Sequence, residues 1–149
     1  MQPLLPNNKF LLMAAVLSMV AAALHIAIII GGPDWYRFFG AGEAMAKMAE
    51  AGELQPTLIT IGIATVLFSW GFYALSAAGK APRLPLIRTA LVVITTIYLL
   101  RGLSVLFIAP FNTEFQSSFW IWSSAICTFY GLTYAIGTWQ QWPYLSSKG

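Results

Sequence analysis

The sequence predicts an all-α polytopic membrane protein: four transmembrane helices in an antiparallel bundle, with a short amphipathic interfacial helix in the first outer loop. Three observations predict it. Charged residues make up 9% and apolar residues 58% of the 149-residue chain, and the mean hydropathy is +0.73; soluble domains carry about 25% charge. Apolar runs over 10–30, 57–78, 86–109 and 117–138 each suffice to cross ~30 Å of hydrocarbon, which takes about 20 helical residues. So little chain is left between them that 1–149 reads as a single membrane domain.

The first run follows Lys9 and contains Ala21, Ala22 and Ala23. It outlasts the about 7–15 apolar residues of a secretory signal and includes His25, so it reads as the first span. In the following polar stretch, Asp34 is placed to cap an aromatic turn over 35–39. From 41 to 51 the residues Ala41, Ala44, Met45 and Met48 share one helical face. On another face Glu43–Lys47 and Lys47–Glu50 have ion-pair spacing, and Gly52 is placed to end the helix. The segment over about 34–52 is therefore expected to lie along the outer interface, as an anchor or a lid.

Pro56 and Pro85 stand where the second and third spans begin, positions at which a missing N–H costs little. Pro110 closes the third span. Thr113-Glu114-Phe115-Gln116 has the pattern of a capping box for the fourth. Aromatic residues gather near both edges, with Trp35, Phe39, Trp120 and Trp122 toward one and Trp70, Trp139 and Trp142 toward the other. They read as interfacial belts.

Charge sorting supplies an orientation. Lys9, Lys80, Arg83, Arg88 and Lys148 fall on one side, whereas all five acidic residues, Asp34, Glu43, Glu50, Glu53 and Glu114, fall on the other with Arg37 and Lys47. The bias of basic residues toward cytoplasmic loops places both termini in the cytoplasm and the protein in the inner (plasma) membrane as a multi-pass chain.

Several function classes recede on composition. A single cysteine, Cys127, excludes an intrachain disulfide, a Cys-x-x-Cys pair and a multi-thiolate metal site. A single histidine excludes a bis-histidine haem within one chain. With no nucleophile–base pair or metal triad in the pattern, no catalytic residue, metal or cofactor is assigned, and an enzyme is the less favoured class. The net charge of +3 comes without a basic stripe interleaved with aromatics, so nucleic acid is not an expected partner.

Polar residues inside the spans point to the candidate site. Arg101 is a guanidinium at membrane depth, which on insertion scales costs about 2.5–3.5 kcal/mol at the centre and by default marks a functional position. His25 and Arg101 each lie fifteen residues into spans that run in the same direction, about 22 Å along an ideal helix, and are expected at similar depth. Tyr98 falls one turn from Arg101. A ligand site is therefore expected at His25, Tyr98 and Arg101, reached from outside. Glu43, then Glu114, then Asp34 are the ranked counter-charges or gates. Ser123, Cys127, Tyr130 and Tyr134 form one face of the fourth span, read as a packing seam.

The leading functional expectation is binding or transport of a small polar or anionic molecule in that pocket, with transport requiring a homo-oligomer because four helices enclose little volume. The alternative is an accessory or assembly subunit of a larger membrane complex. The stretch Gly31-Gly32-Pro33-Asp34-Trp35-Tyr36-Arg37-Phe38-Phe39-Gly40 resembles a signature of small uncharacterised bacterial four-helix membrane proteins. That resemblance implies the architecture over the whole chain and brings no activity or catalytic motif with it.

Overall fold

The computed structural model describes residues 7–147, apart from the side chain of Glu114, and among these it is entirely helical. Six α-helices follow in order: α1 Lys9–Gly31, α2 Pro33–Phe38, α3 Glu43–Glu50, α4 Gln55–Ala77, α5 Ile87–Ile108 and α6 Ser118–Ser146, with a 3₁₀ turn at Thr113–Gln116 before the last. Helices α1, α4 and α5 are long and apolar enough to cross a membrane. The fourth expected span forms a helix of 29 residues but falls short of that apolarity. Its hydroxyl-bearing face, with Ser123, Ser124, Thr128, Thr133 and Thr138, lowers its hydropathy.

The chain forms two compact units, one built from the described residues up to Ser18 and from Trp70 onward, the other from Met19–Ser69. In the first, α5 and α6 pack along most of their length. Thr128 of α6 lies over Gly102 of α5, and Leu99 of α5 lies over Gly131 of α6. Contacts thus descend along one helix as they rise along the other, so the pair is antiparallel. A Cβ on Gly102 would stand 2.5 Å from the Thr128 backbone nitrogen, and one on Gly131 would stand 2.6 Å from a Leu99 methyl. Only glycine permits so close an approach, the small-residue packing expected where lipid supplies no hydrophobic drive between helices. Gly137 repeats the device against Leu11 of α1.

Asn8 opens α1 by accepting from the Leu11 N–H through Oδ1 at 2.9 Å, and its amide donates to Gln140 Oε1 at 3.0 Å. Gln141 donates to the Ala77 carbonyl at 3.1 Å, which satisfies an acceptor at the end of α4.

Helix boundaries correct four sequence expectations. Asp34 lies in the first turn of α2 and does not cap it, because Pro33 takes the first helical position and Gly32, at φ 73°, turns the chain. Proline is pre-set for that position, so it wins over the acidic cap. Pro85 precedes α5 without joining it, since Leu86 at φ 53° is the cap residue. The expected capping box instead closes on itself as the 3₁₀ turn, and Gln116 donates to the Ala109 carbonyl at 2.8 Å. Finally, α6 runs eight residues past the expected end at 138, through Pro143. The belt aromatics and Gln140 and Gln141 lengthen it beyond the apolar run.

In the second unit, Ile28, Tyr36 and Ala46 are buried together, with Phe39, Met45 and Ala49 packed against them. The buried face of α3 is thus centred on 45, 46 and 49; of the expected apolar face at 41, 44, 45 and 48, Met45 packs against this core and Met48 is partly buried, while Ala41 and Ala44 are exposed. The helix starts only at Glu43, after Gly42 at φ 96°. Gly52, at φ 75°, ends α3 as expected. The Glu53 N–H reaches the Met48 carbonyl at 2.9 Å and the Gly52 N–H the Ala49 carbonyl at 3.1 Å, a Schellman closure.

Candidate functional site

Arg101 projects from α5 toward the first two turns of α6. One terminal nitrogen donates to Ser124 Oγ at 3.1 Å and the other to Ser123 Oγ at 3.0 Å. Its guanidinium carbon lies 4.5 Å from the centre of the Trp120 ring. Ser123 in turn donates to the Trp120 carbonyl at 3.2 Å. Among the described residues, all three partners are neutral. The arrangement orients the cation through charge-assisted hydrogen bonds and the negative face of an indole, and it leaves the positive charge in place. Among the described residues these contacts use two of the five N–H groups that a guanidinium carries.

Tyr98, one turn away on α5, engages different partners. Its hydroxyl lies 3.0 Å from Ser18 Oγ, and Ser18 Oγ lies 2.8 Å from the Tyr134 hydroxyl. The Tyr98 ring packs on Trp70, Tyr130 and Tyr134 with centroids 5.0, 5.5 and 5.5 Å away. Tyr98 is thus part of a buried hydroxyl and aromatic core, one turn of α5 from Arg101. A tyrosine whose hydroxyl finds a buried partner is held there, because leaving that group unpaired costs about 1–3 kcal/mol.

His25 belongs to the other unit. Its Nδ1 lies 2.7 Å from the Ala21 carbonyl. A carbonyl only accepts, so Nδ1 carries a proton in this contact.

Two of the ranked counter-charges are engaged elsewhere. Arg37 Nε donates to Glu43 at 2.9 Å, one terminal nitrogen to Glu43 at 2.9 Å and to Glu50 at 2.7 Å, and the other to Asp34 at 3.3 Å. Hydrogen bonding to Arg37 holds the Glu43 carboxyl below the usual range, and the Arg37 pKa is raised in return. The sequence spacing suggested Lys47 as the partner of Glu43 and Glu50. Arg37 takes both because its planar fork donates to several carboxylate oxygens at once. The side chain of Glu114 lies outside the described structure.

Ser123 was singled out as part of a packing seam, and Ser124, Trp120 and Ser18 were not singled out for these roles. The signal for Ser124 was present in its spacing with Thr128 on one helical face. Cys127 is partly buried on the same helix. Among the described residues no group of three or more His, Cys, Asp or Glu is placed to hold a metal ion.

No protein-family model, curated protein or solved structure matches the chain. Function is therefore argued from the residues alone.

Proposed function

We propose that the protein binds, and as a homo-oligomer transports, a small anionic or polar molecule through Arg101. The observation that carries this reading is that, among the described residues, the partners of the guanidinium are the neutral Ser123, Ser124 and Trp120, which position the charge without cancelling it. An intramembrane arginine held only for stability gains most from a carboxylate, because an unpaired buried charge is costly. A cation oriented by hydroxyls keeps its charge for a second anion. In this reading α6 is the fourth span of an antiparallel bundle, and its moderate apolarity reflects the hydroxyl face that serves Arg101. Both termini lie in the cytoplasm, and the Arg101 end of α5 opens outward in the inner membrane.

Glu114 is the proposed gate, since Asp34 and Glu43 are already bound to Arg37.

The test is ligand-dependent thermal stability of the purified protein against a panel of phosphate and small carboxylates, followed by uptake of any hit into proteoliposomes. Wild-type protein is expected to gain stability with at least one anion, Arg101→Lys to keep part of that gain, and Arg101→Leu to lose it while remaining folded. If no anion stabilises the wild type, or if Arg101→Leu responds equally, the reading fails.

A further inference from the structure

A second place on the molecule, away from Arg101, joins two surfaces of opposite chemistry. Along the seam of α5 and α6 near the start of α5 lies a cleft of 540 Å³ lined by Arg83, Arg88, Leu86, Thr89 and Leu145. A groove of 360 Å³, lined by Val92, Thr95, Ala135, Thr138, Trp139 and Trp142 among others, lies beside it. The two adjoin where Arg88 of the first stands with its guanidinium carbon 4.4 Å from the centre of the Trp142 ring of the second.

The basic cleft is organised for an anion. Arg83 is anchored by hydrogen bonds to the Leu145 and Ser147 carbonyls at 3.1 and 2.8 Å, with its guanidinium carbon 5.4 Å from the centre of the Tyr144 ring. Arg88 is held by Trp142. Neither contact neutralises its arginine. The first turn of α5 opens at the same place, and its cap residue, Leu86, supplies no side-chain acceptor, so the early N–H groups add positive potential to the two cations.

The groove carries an independent sign of an occupant. Thr65, Thr96 and Thr128 each return their hydroxyl to the carbonyl four residues earlier, the usual solution in an apolar helix. Thr95 and Thr138, on opposite walls of the groove, do not; their hydroxyl oxygens are buried and have no hydrogen-bond partner among the described residues, and Thr138 as a residue is only 6% exposed. Two orphaned donors beside one groove call for an acceptor, because a buried hydroxyl without one costs about 1–3 kcal/mol. A turn about χ1 would be needed to bring each oxygen to the groove surface.

We propose that this seam binds one anionic phospholipid. Its phosphate lies between Arg83 and Arg88, an ester carbonyl accepts from Thr95 or Thr138, and an acyl chain runs past Val92, Ala135 and Trp139. Arg88 and Thr95 are seven residues apart, about 10 Å along the helix, and the polar part of a glycerophospholipid lies between its phosphate and its chains in that same order. Basic pockets between membrane helices take anionic headgroups by this chemistry. A soluble anion would leave the apolar groove without a role, and a neutral amphiphile would leave the two arginines without one.

Native mass spectrometry of the full chain in detergent tests the proposal, with dioleoylphosphatidylglycerol and dioleoylphosphatidylcholine as probes. One phosphatidylglycerol is expected to be retained in preference to phosphatidylcholine. Arg88→Gln should weaken that retention about fivefold, near the worth of one basic residue at an anionic surface, and Arg88→Lys should largely restore it. Thr138→Val, which keeps shape and removes the hydroxyl, should weaken retention without lowering stability in lipid-free detergent. Equal retention of the two lipids, or undiminished retention by Arg88→Gln, overturns the proposal. So does displacement of the lipid by glycerol phosphate as effectively as by phosphatidylglycerol, or by decylubiquinone in an arginine-independent manner. None of these readouts involves Arg101, so this proposal and the Arg101 reading fail separately.

Discussion

Ser18 and Tyr134, 116 positions apart in the chain, share a 2.8 Å hydrogen bond with neither side chain exposed. The same serine oxygen lies 3.0 Å from the Tyr98 hydroxyl, so one small residue of α1 serves tyrosines on both α5 and α6. Ser18→Ala is expected to leave two buried hydroxyls short of a partner and to cost more than Tyr134→Phe, which leaves Ser18 bonded to Tyr98. The serine change should destabilise by about 1–3 kcal/mol. Unfolding in mixed detergent micelles would rank the two variants, and a double mutant less destabilised than the sum of the single changes would show that they act through one network.

Glycines on these helices should respond in opposite directions to alanine. Gly102→Ala drives a Cβ to 2.8 Å from the Thr128 Cα and is expected to destabilise by about 1–3 kcal/mol, the cost of overpacking a close contact. Gly62 in α4 has nothing within 4 Å of such an atom, so Gly62→Ala should stabilise by about 0.5–1 kcal/mol through reduced backbone entropy. Thermal unfolding of both variants in one detergent compares them directly.

Acid should loosen α3 before it affects the long helices. The Glu43 carboxyl has a folded-state pKa below its ordinary value of 4.5 because of Arg37. Its contribution is therefore complete above that ordinary value and is lost as pH falls through the lowered one. Amide exchange across 43–50 should speed up in that window, and Arg37→Gln should remove the pH dependence. High salt should act in the same direction, since these groups are largely exposed. Unchanged exchange in Arg37→Gln would show that backbone packing of Ala46 alone holds the segment.

The hydroxyls around Arg101 should matter more together than separately. Ser124→Ala removes one charge-assisted hydrogen bond, worth about 1.5–3 kcal/mol, while Ser123 and Trp120 still hold the guanidinium. Removing both serines should release the side chain, read as lost protection of Trp120 from a soluble fluorescence quencher. A double variant with the wild-type quenching profile would show that stacking on Trp120 is sufficient.

Long elements were legible because they rest on composition. The starts of α1, α4 and α5 differ by at most two residues from the apolar runs, since hydropathy reports length directly. Caps were less legible, because Pro33 with Gly32 and the left-handed Leu86 settled the starts of α2 and α5 against side-chain signals at Asp34 and Pro85. In the candidate site the polarity of Arg101 could be read from the chain, and Ser123 was on the seam already singled out in the fourth span. Its partnership with Trp120 could not, because an aromatic near a helix end has the same pattern whether it meets headgroups or a guanidinium. Arg37 was passed over because sequence spacing favours neighbours three and four residues away, whereas its bond to Glu50 spans thirteen.

The reciprocal seating of Thr128 on Gly102 and Leu99 on Gly131 also bears on motion. Where two helices meet through glycine, few rotatable side chains lie between them to absorb a tilt or a slide. The α5–α6 hairpin should consequently travel as one lever, carrying Arg101 and its serines as fixed cargo. Any conformational cycle of this protein would then displace the arginine together with its hydroxyl cradle, and the charge would reach a new environment already oriented.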